Sequence, residues 1–494
     1  MIHNARVPIN RRRMLTIADF AIRQGEHWCV LGGNGVGKTS LAKLVQGELV
    51  RGRQHVSYAA GFDPARDLDS ISFEEQQRLW ALDDRHDISE FSAEAKDQGT
   101  TVERFIIPAA HPELLHQKEV QETLNALDLS NLLKRGIRYL SSGQVRKVMI
   151  ARALLQRRVA CNRLLLLDDP LEAIDQRAQS VVRSCLQQSF DSNNATLLLS
   201  RRVSEMLPGI THLAIMEDLT IIEQGPIEEI RDTDAFLCLA SPQVPENHGI
   251  PRGQLTEGRD ATNRLPPIRL HKVSASYGDQ PVLEDVTWLM DAHHHTLIEG
   301  PNGCGKSTLL SLIDGENHKA YGQEVYLFGV RRGSGESVWD IKSHFGVVSN
   351  EIHNRYVKGW RVLDVVVSGF YDSVGLYDDS GASQVEVARG WLTCFAMEHL
   401  AREFFHEISF GQQRLILLAR AMVKQPDVLI LDEPCVGLDD SYRRLVLGFI
   451  DSIADSTSTQ VIYVSHTRGE EPRCINQRLS FEPTPSGGYC LLAR

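Results

Sequence analysis

Residues 300–307 read Gly-Pro-Asn-Gly-Cys-Gly-Lys-Ser, a full match to the phosphate-loop pattern G-x-x-x-x-G-K-[ST]. No other feature restricts the fold so tightly. The strand-like run Thr296-Leu297-Ile298-Glu299 precedes it, and Thr308-Leu309-Leu310-Ser311-Leu312-Ile313 reads as the first turns of a helix. Strand, tight loop and helix in that order belong to an α/β core with a parallel sheet. The glycines let backbone N–H groups and the helix N-terminus face a chain of phosphates. Pro301, Asn302, Gly303, Gly305 and Thr308 are the expected loop contacts. Lys306 would reach the β- and γ-phosphates, and the Ser307 hydroxyl would ligate Mg²⁺.

The pattern occurs a second time, at residues 32–39, with Lys306 standing 268 residues after Lys38. Gly33, Asn34, Gly35, Gly37, Lys38, Thr39 and Ser40 are the matching candidates, Thr39 also for Mg²⁺. Leu140-Ser141-Ser142-Gly143-Gln144 resembles Ile408-Ser409-Phe410-Gly411-Gln412, with Gly143 and Gly411 again 268 apart. Leu164-Leu165-Leu166-Leu167-Asp168-Asp169-Pro170 resembles Val428-Leu429-Ile430-Leu431-Asp432-Glu433-Pro434, with Asp168 and Asp432 separated by 264. Three elements in one order at nearly the same offset mean a tandem duplication, and the period is too long for a solenoid. The expected organisation is a nucleotide-binding domain at 1–232, a linker at 233–264 and a second domain at 265–494. The linker reading rests on Ser241-Pro242, Val244-Pro245, Ile250-Pro251 and lost periodicity. Asp168 and Asp432, each ending an apolar run typical of a buried parallel strand, are the expected Mg²⁺ carboxylates. The Ser-containing elements at 140–144 and 408–412 each open a helix and offer a further anion site.

A chain of 494 residues with 42% hydrophobic content can build such cores. Its net charge of −11 gives no reason to expect a sequence-independent grip on nucleic acid. Arg11-Arg12-Arg13 reads as a solvated loop. No apolar run approaches the ~18 residues of a membrane span, and Asp19 and Arg23 interrupt the N-terminal apolar stretch. The expectation is a cytoplasmic protein, at most peripheral on the inner membrane face. Nine scattered cysteines without a C-x-x-C pair argue against zinc, iron–sulfur or a disulfide framework. Cys304 reads as a small residue tolerated in its loop.

Smaller readings follow from local pattern. Residues 81–100 read as an exposed loop, and 112–134 show apolar positions at helical spacing. Two strand-like runs at 325–328 and 345–348 flank an unusual Arg331-Arg332-Gly333-Ser334-Gly335-Glu336 turn. Residues 357–404 are helix-like and aromatic-rich, which suits core or partner packing.

Phosphate loop, helix-opening element, Asp-Glu-Pro strand, turn Asp (Asp175, Asp439) and terminal His (His466) resemble, in that order, the ATP-binding-cassette (ABC) ATPases. The run from Arg332 to Lys342, in a tandem chain of this length, is similar to the ModF-type proteins, associated by name with molybdate transport and photorepair. The resemblance implies two cassettes, each with a P-loop α/β core and a helical subdomain, packed head to tail within one chain. It implies ATP and Mg²⁺ as cofactors and an ATPase reaction. In the second-half site, Glu433 would polarise the attacking water, His466 would touch the γ-phosphate and Tyr277 would stack on adenine. Ser141, Gly143 and Gln144 would close that site, and Ser409, Gly411 and Gln412 the other. Asp439 would couple the two sites. The family's loop Gln falls on Asn350, and Gln76 is the candidate in the first half.

The first-half site departs from the family pattern. Asp169 replaces the Glu, Arg201 stands where the His belongs, no aromatic lies near Ile9, and Phe410 replaces a Gly in the closing element. Asp169 keeps the charge one methylene short, and misplacement by about 1 Å costs on the order of 100-fold in rate. The expectation is one competent site and one that binds ATP and turns over slowly. The resemblance further implies an energising subunit for a separate membrane permease, for molybdate or a related oxyanion, with no direct contact to nucleic acid. The alternative is an ABC ATPase acting on ribosomes, as ABC-F factors do, or in repair or regulation.

Overall fold

The computed structural model describes residues 1–9, 13–72, 74–79, 99–107, 111–159, 162–171, 174, 176–240, 265–277, 280–301, 303–356, 359–376, 380–465 and 470–493. The chain divides into two compact units, Met1–Gln243 and Val244–Arg494.

Among the described residues the first unit has one eight-stranded sheet. Its strands are β1 (Ile2–Pro8), β2 (Met14–Phe20), β3 (His27–Leu31), β4 (Leu68–Ile71), β5 (Leu164–Asp168), β6 (Ala195–Ser200), β7 (His212–Glu217) and β8 (Thr220–Pro226). They lie in the order β1-β2-β8-β7-β3-β6-β5-β4. The run β3-β6-β5-β4 is parallel throughout. Leu165 and Leu167 of β5 join one apolar cluster with helix α2 (Ser142–Val159), through Val145, Val148 and Met149. Leu164 and Leu166 join the opposite cluster with Leu41 and Leu44 of helix α1 (Lys38–Val45). Four consecutive leucines are therefore what a strand covered on both faces requires. Truncating fully buried Leu167 to Ala removes about 2–5 kcal/mol.

The second unit has ten strands among its described residues: β9 (Ile268–Tyr277), β10 (Gln280–Met290), β11 (Thr296–Glu299), β12 (Glu324–Leu327), β13 (Val330–Arg331), β14 (Phe345–Val348), β15 (Val428–Asp432), β16 (Gln460–Ser465), β17 (Gln477–Pro483) and β18 (Tyr489–Ala493). Their order is β13-β12-β9-β10-β18-β17-β11-β16-β15-β14. The parallel run β11-β16-β15-β14 repeats that of the first unit. Leu429 and Leu431 pack with helix α4 (Phe410–Met422), while Val428 and Ile430 pack with helix α3 (Lys306–Ile313). Each unit is thus an α/β cassette, and no helix of the described residues is long and apolar enough to cross a membrane.

Several local readings shift. The expected linker begins with a helix, Asp234–Ala240, because Phe236 finds a buried seat; residues 241–264 lie outside the described residues. The helix-like stretch 112–134 breaks into two 3₁₀ turns around a helix at Lys118–Ala126. Between β13 and β14 stands a helix, Val338–His344, which alternation of strands did not suggest. In the aromatic-rich stretch Trp391 and Phe395 are core residues, as expected, and Tyr377 is outside the described residues. Most of the expected loop 81–100 is outside them too.

Candidate functional site

Both phosphate loops run from the end of a central strand into a helix, β3 into α1 and β11 into α3. Lys38 Nζ donates to the carbonyls of Gly32 at 2.6 Å and Gly33 at 2.8 Å. Lys306 Nζ does the same with Gly300 at 2.8 Å and Pro301 at 2.9 Å. Both lysines are buried. Gly37 and Gly305 turn into the helix at φ 104° and 101°, in the left-handed region. A Cβ at Gly37 would meet Leu219 at 2.7 Å, and one at Gly305 would meet Val282 and Leu283 at 2.9 Å. Backbone N–H groups thereby converge on the helix N-terminus, the geometry that holds phosphate. Ser40 and Thr308 sit in the first helical turns. Asn302 is outside the described residues. The basic cluster near the start is not wholly solvated: Arg13 Nη2 donates to the Gly35 carbonyl at 2.9 Å, while residues 10–12 are outside the described residues.

The acids stand at the C-terminal ends of β5 and β15. Asp168 pairs with Leu199 of β6, and Asp432 with Val464 of β16. Thr39 Oγ1 donates to Asp168 Oδ2 at 3.1 Å. Burial first, and Asp169 next to it second, push the Asp168 carboxyl up to about 6. Burial and then Glu433 push Asp432 up to about 6. Carboxyls held out of water beside a second acid favour a cation. The residues present therefore fit Mg²⁺, which Thr39 and Asp168 would hold in one cassette and Ser307 and Asp432 in the other. Bound there, the ion would neutralise phosphate charge.

The second acids share one backbone seat. Asp169 has φ 46° and Glu433 φ 49°. Their N–H groups donate across the sheet to Leu199 at 3.3 Å and Val464 at 3.1 Å. Strand register then sets Arg201, two residues past Leu199, at the position of His466, two past Val464; His466 is outside the described residues. Arg201 Nε donates to Asp169 Oδ2 at 2.8 Å, and each side chain is 14% exposed. The sequence separates this pair by 32 residues. Its one signal was that Glu and His are replaced together, by groups of opposite charge.

The helix-opening elements are capping boxes. Gln144 Oε1 accepts from the Ser141 N–H at 3.0 Å, and Ser141 Oγ from the Gln144 N–H at 3.4 Å. Ser409 and Gln412 repeat the arrangement at 2.9 and 3.3 Å. Gly411 is required by its own cassette, since a Cβ there would lie 2.3 Å from the Tyr442 ring. Asp439 caps helix α5 (Asp440–Ser456) by accepting from the Tyr442 N–H at 2.9 Å. Its counterpart Asp175 is outside the described residues. Phe410 stacks on His353 at 4.8 Å, with Arg414 5.3 Å from its ring. Burial, then Arg414, lower the His353 imidazole to about 4. Sequence reasoning missed Tyr442 and His353.

Gln76 and Asn350 occupy different places in their cassettes. Ile71 pairs with Leu167 as Val348 pairs with Leu431, so Gln76 corresponds to His353 and not to Asn350. It is fully buried and donates to Ser142 Oγ at 2.8 Å. Asn350 Oδ1 accepts from Arg414. Tyr277 is 51% exposed, with its hydroxyl accepting from Asn317 at 3.3 Å and Lys319 lying 4.9 Å from its ring. Cys304 is fully buried and burial raises its thiol, so it is a packing residue.

Residues 15–172 and 283–436 each match the family model described as ABC transporter. The chain is 32% identical to the ABC transporter ATP-binding protein ModF of Escherichia coli K12, over 96% of this chain and 95% of that one. It is 28% identical to an uncharacterised ABC transporter ATP-binding protein of Schizosaccharomyces pombe, over 93% of each. A solved complex of archaeal ribosomal stalk protein with the ribosome recycling factor aABCE1 shares the fold over 99% of this chain and 89% of that one, with TM-score 0.56 and 17% identity. That similarity corrects the partner expectation. The expectation of no nucleic-acid contact gives way, because this solved neighbour in fold is a complex with a ribosomal stalk protein.

Proposed function

The chain belongs to the ABC transporter family as a P-loop ATPase with two cassettes, requiring ATP and Mg²⁺, and on that footing we propose that it is an asymmetric ATPase working on a ribosomal or closely related RNA–protein partner. The single observation that carries the asymmetry is the Asp169–Arg201 ion pair. In the second cassette, Lys306 and the loop amides hold the phosphates, and Glu433 takes up the proton of the attacking water. His466 contacts the γ-phosphate, and Tyr277 offers its exposed ring to adenine. In the first cassette Lys38, Thr39 and Asp168 bind ATP in the same way. There the carboxylate that should receive a proton already accepts from a guanidinium, which lowers its basicity. It is also one methylene short. Turnover in the second site then drives opening and closing, while the first holds its nucleotide through many cycles.

The partner reading is supported by the two-cassette fold shared with the ribosome recycling factor. The transporter function in the name of the Escherichia coli relative stays with that protein. The test is Glu433→Gln incubated with ATP in a cell extract and fractionated on a sucrose gradient. Arrested chain co-sedimenting with ribosomal particles supports the reading. Recovery only with membranes overturns it.

A further inference from the structure

The first turns of helix α4 hold a side chain that packing alone does not call for. Arg414 is 2% exposed, and the next three residues, Leu415, Ile416 and Leu417, are core residues. Taking a guanidinium out of water is costly, and an apolar side chain of like volume would fill the space without that cost.

What the guanidinium does is reach outward. Its Nη2 donates to Asn350 Oδ1, and Asn350 is an exposed residue at the start of the helix Asn350–Arg355. Guanidinium nitrogens only donate, so this bond fixes which end of the amide faces the arginine and leaves the NH2 as the end that can act elsewhere. The Phe410 ring lies 5.3 Å from the guanidinium carbon and is itself stacked on His353 at 4.8 Å. His353 is held in turn by Gln413, with Nε2 and Oε1 2.8 Å apart. Ser349 caps the short helix by accepting from the Ile352 N–H at 3.2 Å, so the backbone that carries Asn350 is set as well.

Asn350 also falls in line with the acids. β14 and β15 are parallel neighbours, with Val348 opposite Leu431. Counting on along both strands sets Ser349 against Asp432, and Asn350 against Glu433. The Arg414 charge is felt there: burial and Glu433 push the Asp432 carboxyl up, while Lys306 and then Arg414 act against them.

We propose that Arg414 is a positioning residue of the second ATP site, which holds the Asn350 amide from inside the core so that its NH2 end faces the γ-phosphate oxygens beside Glu433. The inference rests on the hydrolysis proposed above for the second cassette. A lysine does not replace the arginine, since an ammonium carries the charge without the planar fork or the flat face that lies by Phe410.

The test is ATP turnover of the full chain, with kcat and KM separated and thermal midpoints measured alongside. Arg414→Met keeps the volume and removes the charge, so the midpoint stays near that of wild type. Its kcat falls on the order of 10- to 100-fold, while KM for ATP moves by less than about 2-fold. Arg414→Lys loses kcat as well. Asn350→Ala loses as much, and adding Arg414→Met to it takes away no more, because one residue acts through the other. Asn350→Asp serves where the Met variant does not fold: it keeps a partner for the guanidinium, exchanges the NH2 for a second oxygen, and loses turnover to the same order. The inference is overturned if Arg414→Met or Asn350→Asp turns over as wild type does, whatever happens to the midpoint. It is equally overturned if the losses of Asn350→Ala and Arg414→Met multiply in the double variant. Glu433→Gln, run in parallel, separates the two proposals. Inactive Glu433→Gln with active Arg414→Met and Asn350→Ala leaves the hydrolysing second site standing and sinks the positioning role. Glu433→Gln with wild-type turnover overturns both.

Discussion

In a Glu433→Gln background, residual ATP turnover reports on the first cassette alone, and exchanging two of its residues should revive it. Asp169 and Glu433 leave the same left-handed backbone seat, so the Asp169 carboxylate falls short by one carbon–carbon bond. Shortfalls near 1 Å cost on the order of 100-fold. Arg201 adds a second handicap. A unit-charge pair near a protein surface attracts by about 4 kcal/mol at 4 Å. With both side chains 14% exposed, much of that is offset by desolvation. If only a quarter survives, about 1 kcal/mol, the carboxylate is free about one-fifth as often. Asp169→Glu restores reach but still faces the guanidinium, and Arg201→His frees a carboxylate that is too short. Asp169→Glu alone should therefore raise phosphate release on the order of 100-fold and Arg201→His alone about 5-fold. Together they should raise it roughly several hundred-fold, and any departure from the product of the two measures the coupling expected of groups in contact. The assay is phosphate release at saturating MgATP. The reasoning fails if Glu433→Gln alone retains most wild-type activity, or if the double exchange does no better than the better single one.

Three further expectations are open to direct measurement. Gly411→Ala drives a methyl into the Tyr442 ring, so it should lower the thermal midpoint and hydrolysis, and Tyr442→Ala in the same chain should recover the midpoint by calorimetry. His353 stays neutral in the folded state down to about pH 4 but protonates near 6.5 when unfolded. Its contribution, up to about 3 kcal/mol, is present above pH 6.5 and lost as the pH falls towards 4. His353→Asn should flatten that part of the midpoint-against-pH curve, and an unchanged slope would count against it. Asp432 is charged at pH 7.5 although burial and Glu433 raise it to about 6, a cost present above that pH and absent below the ordinary carboxyl range. Asp432→Asn should therefore raise the midpoint in chelator by several degrees, while abolishing the Mg²⁺ dependence of ATP binding at that site.

The phosphate loops and the strand-terminal acids were legible because phosphate chemistry fixes both residue type and spacing within a few residues. The two-faced leucine strand was legible because burial on both sides leaves no alternative composition. What escaped depends on contacts between segments far apart. Arg201 reaches Asp169 only through the β5–β6 register. Gln76 reads as the counterpart of Asn350 in the sequence, and only pairing with β5 and β15 fixes the correspondence. Tyr442 touches Gly411 across two helices whose sequences show neither contact. The partner was least legible, since a docking face carries no fixed spacing.

The backbone conformation shared by Asp169 and Glu433 has a consequence for drift. Few side chains tolerate φ near +48°; Asp and Asn do so most readily, and β-branched residues are nearly barred. A cassette under weak selection therefore cannot scatter at this position. It is biased towards acids and amides and away from β-branched residues, with the peptide geometry held in place by the neighbouring strand. A first site that has fallen quiet by this route keeps its scaffold intact and stays within one or two codon changes of an active one, so loss of turnover here is reversible on an evolutionary timescale.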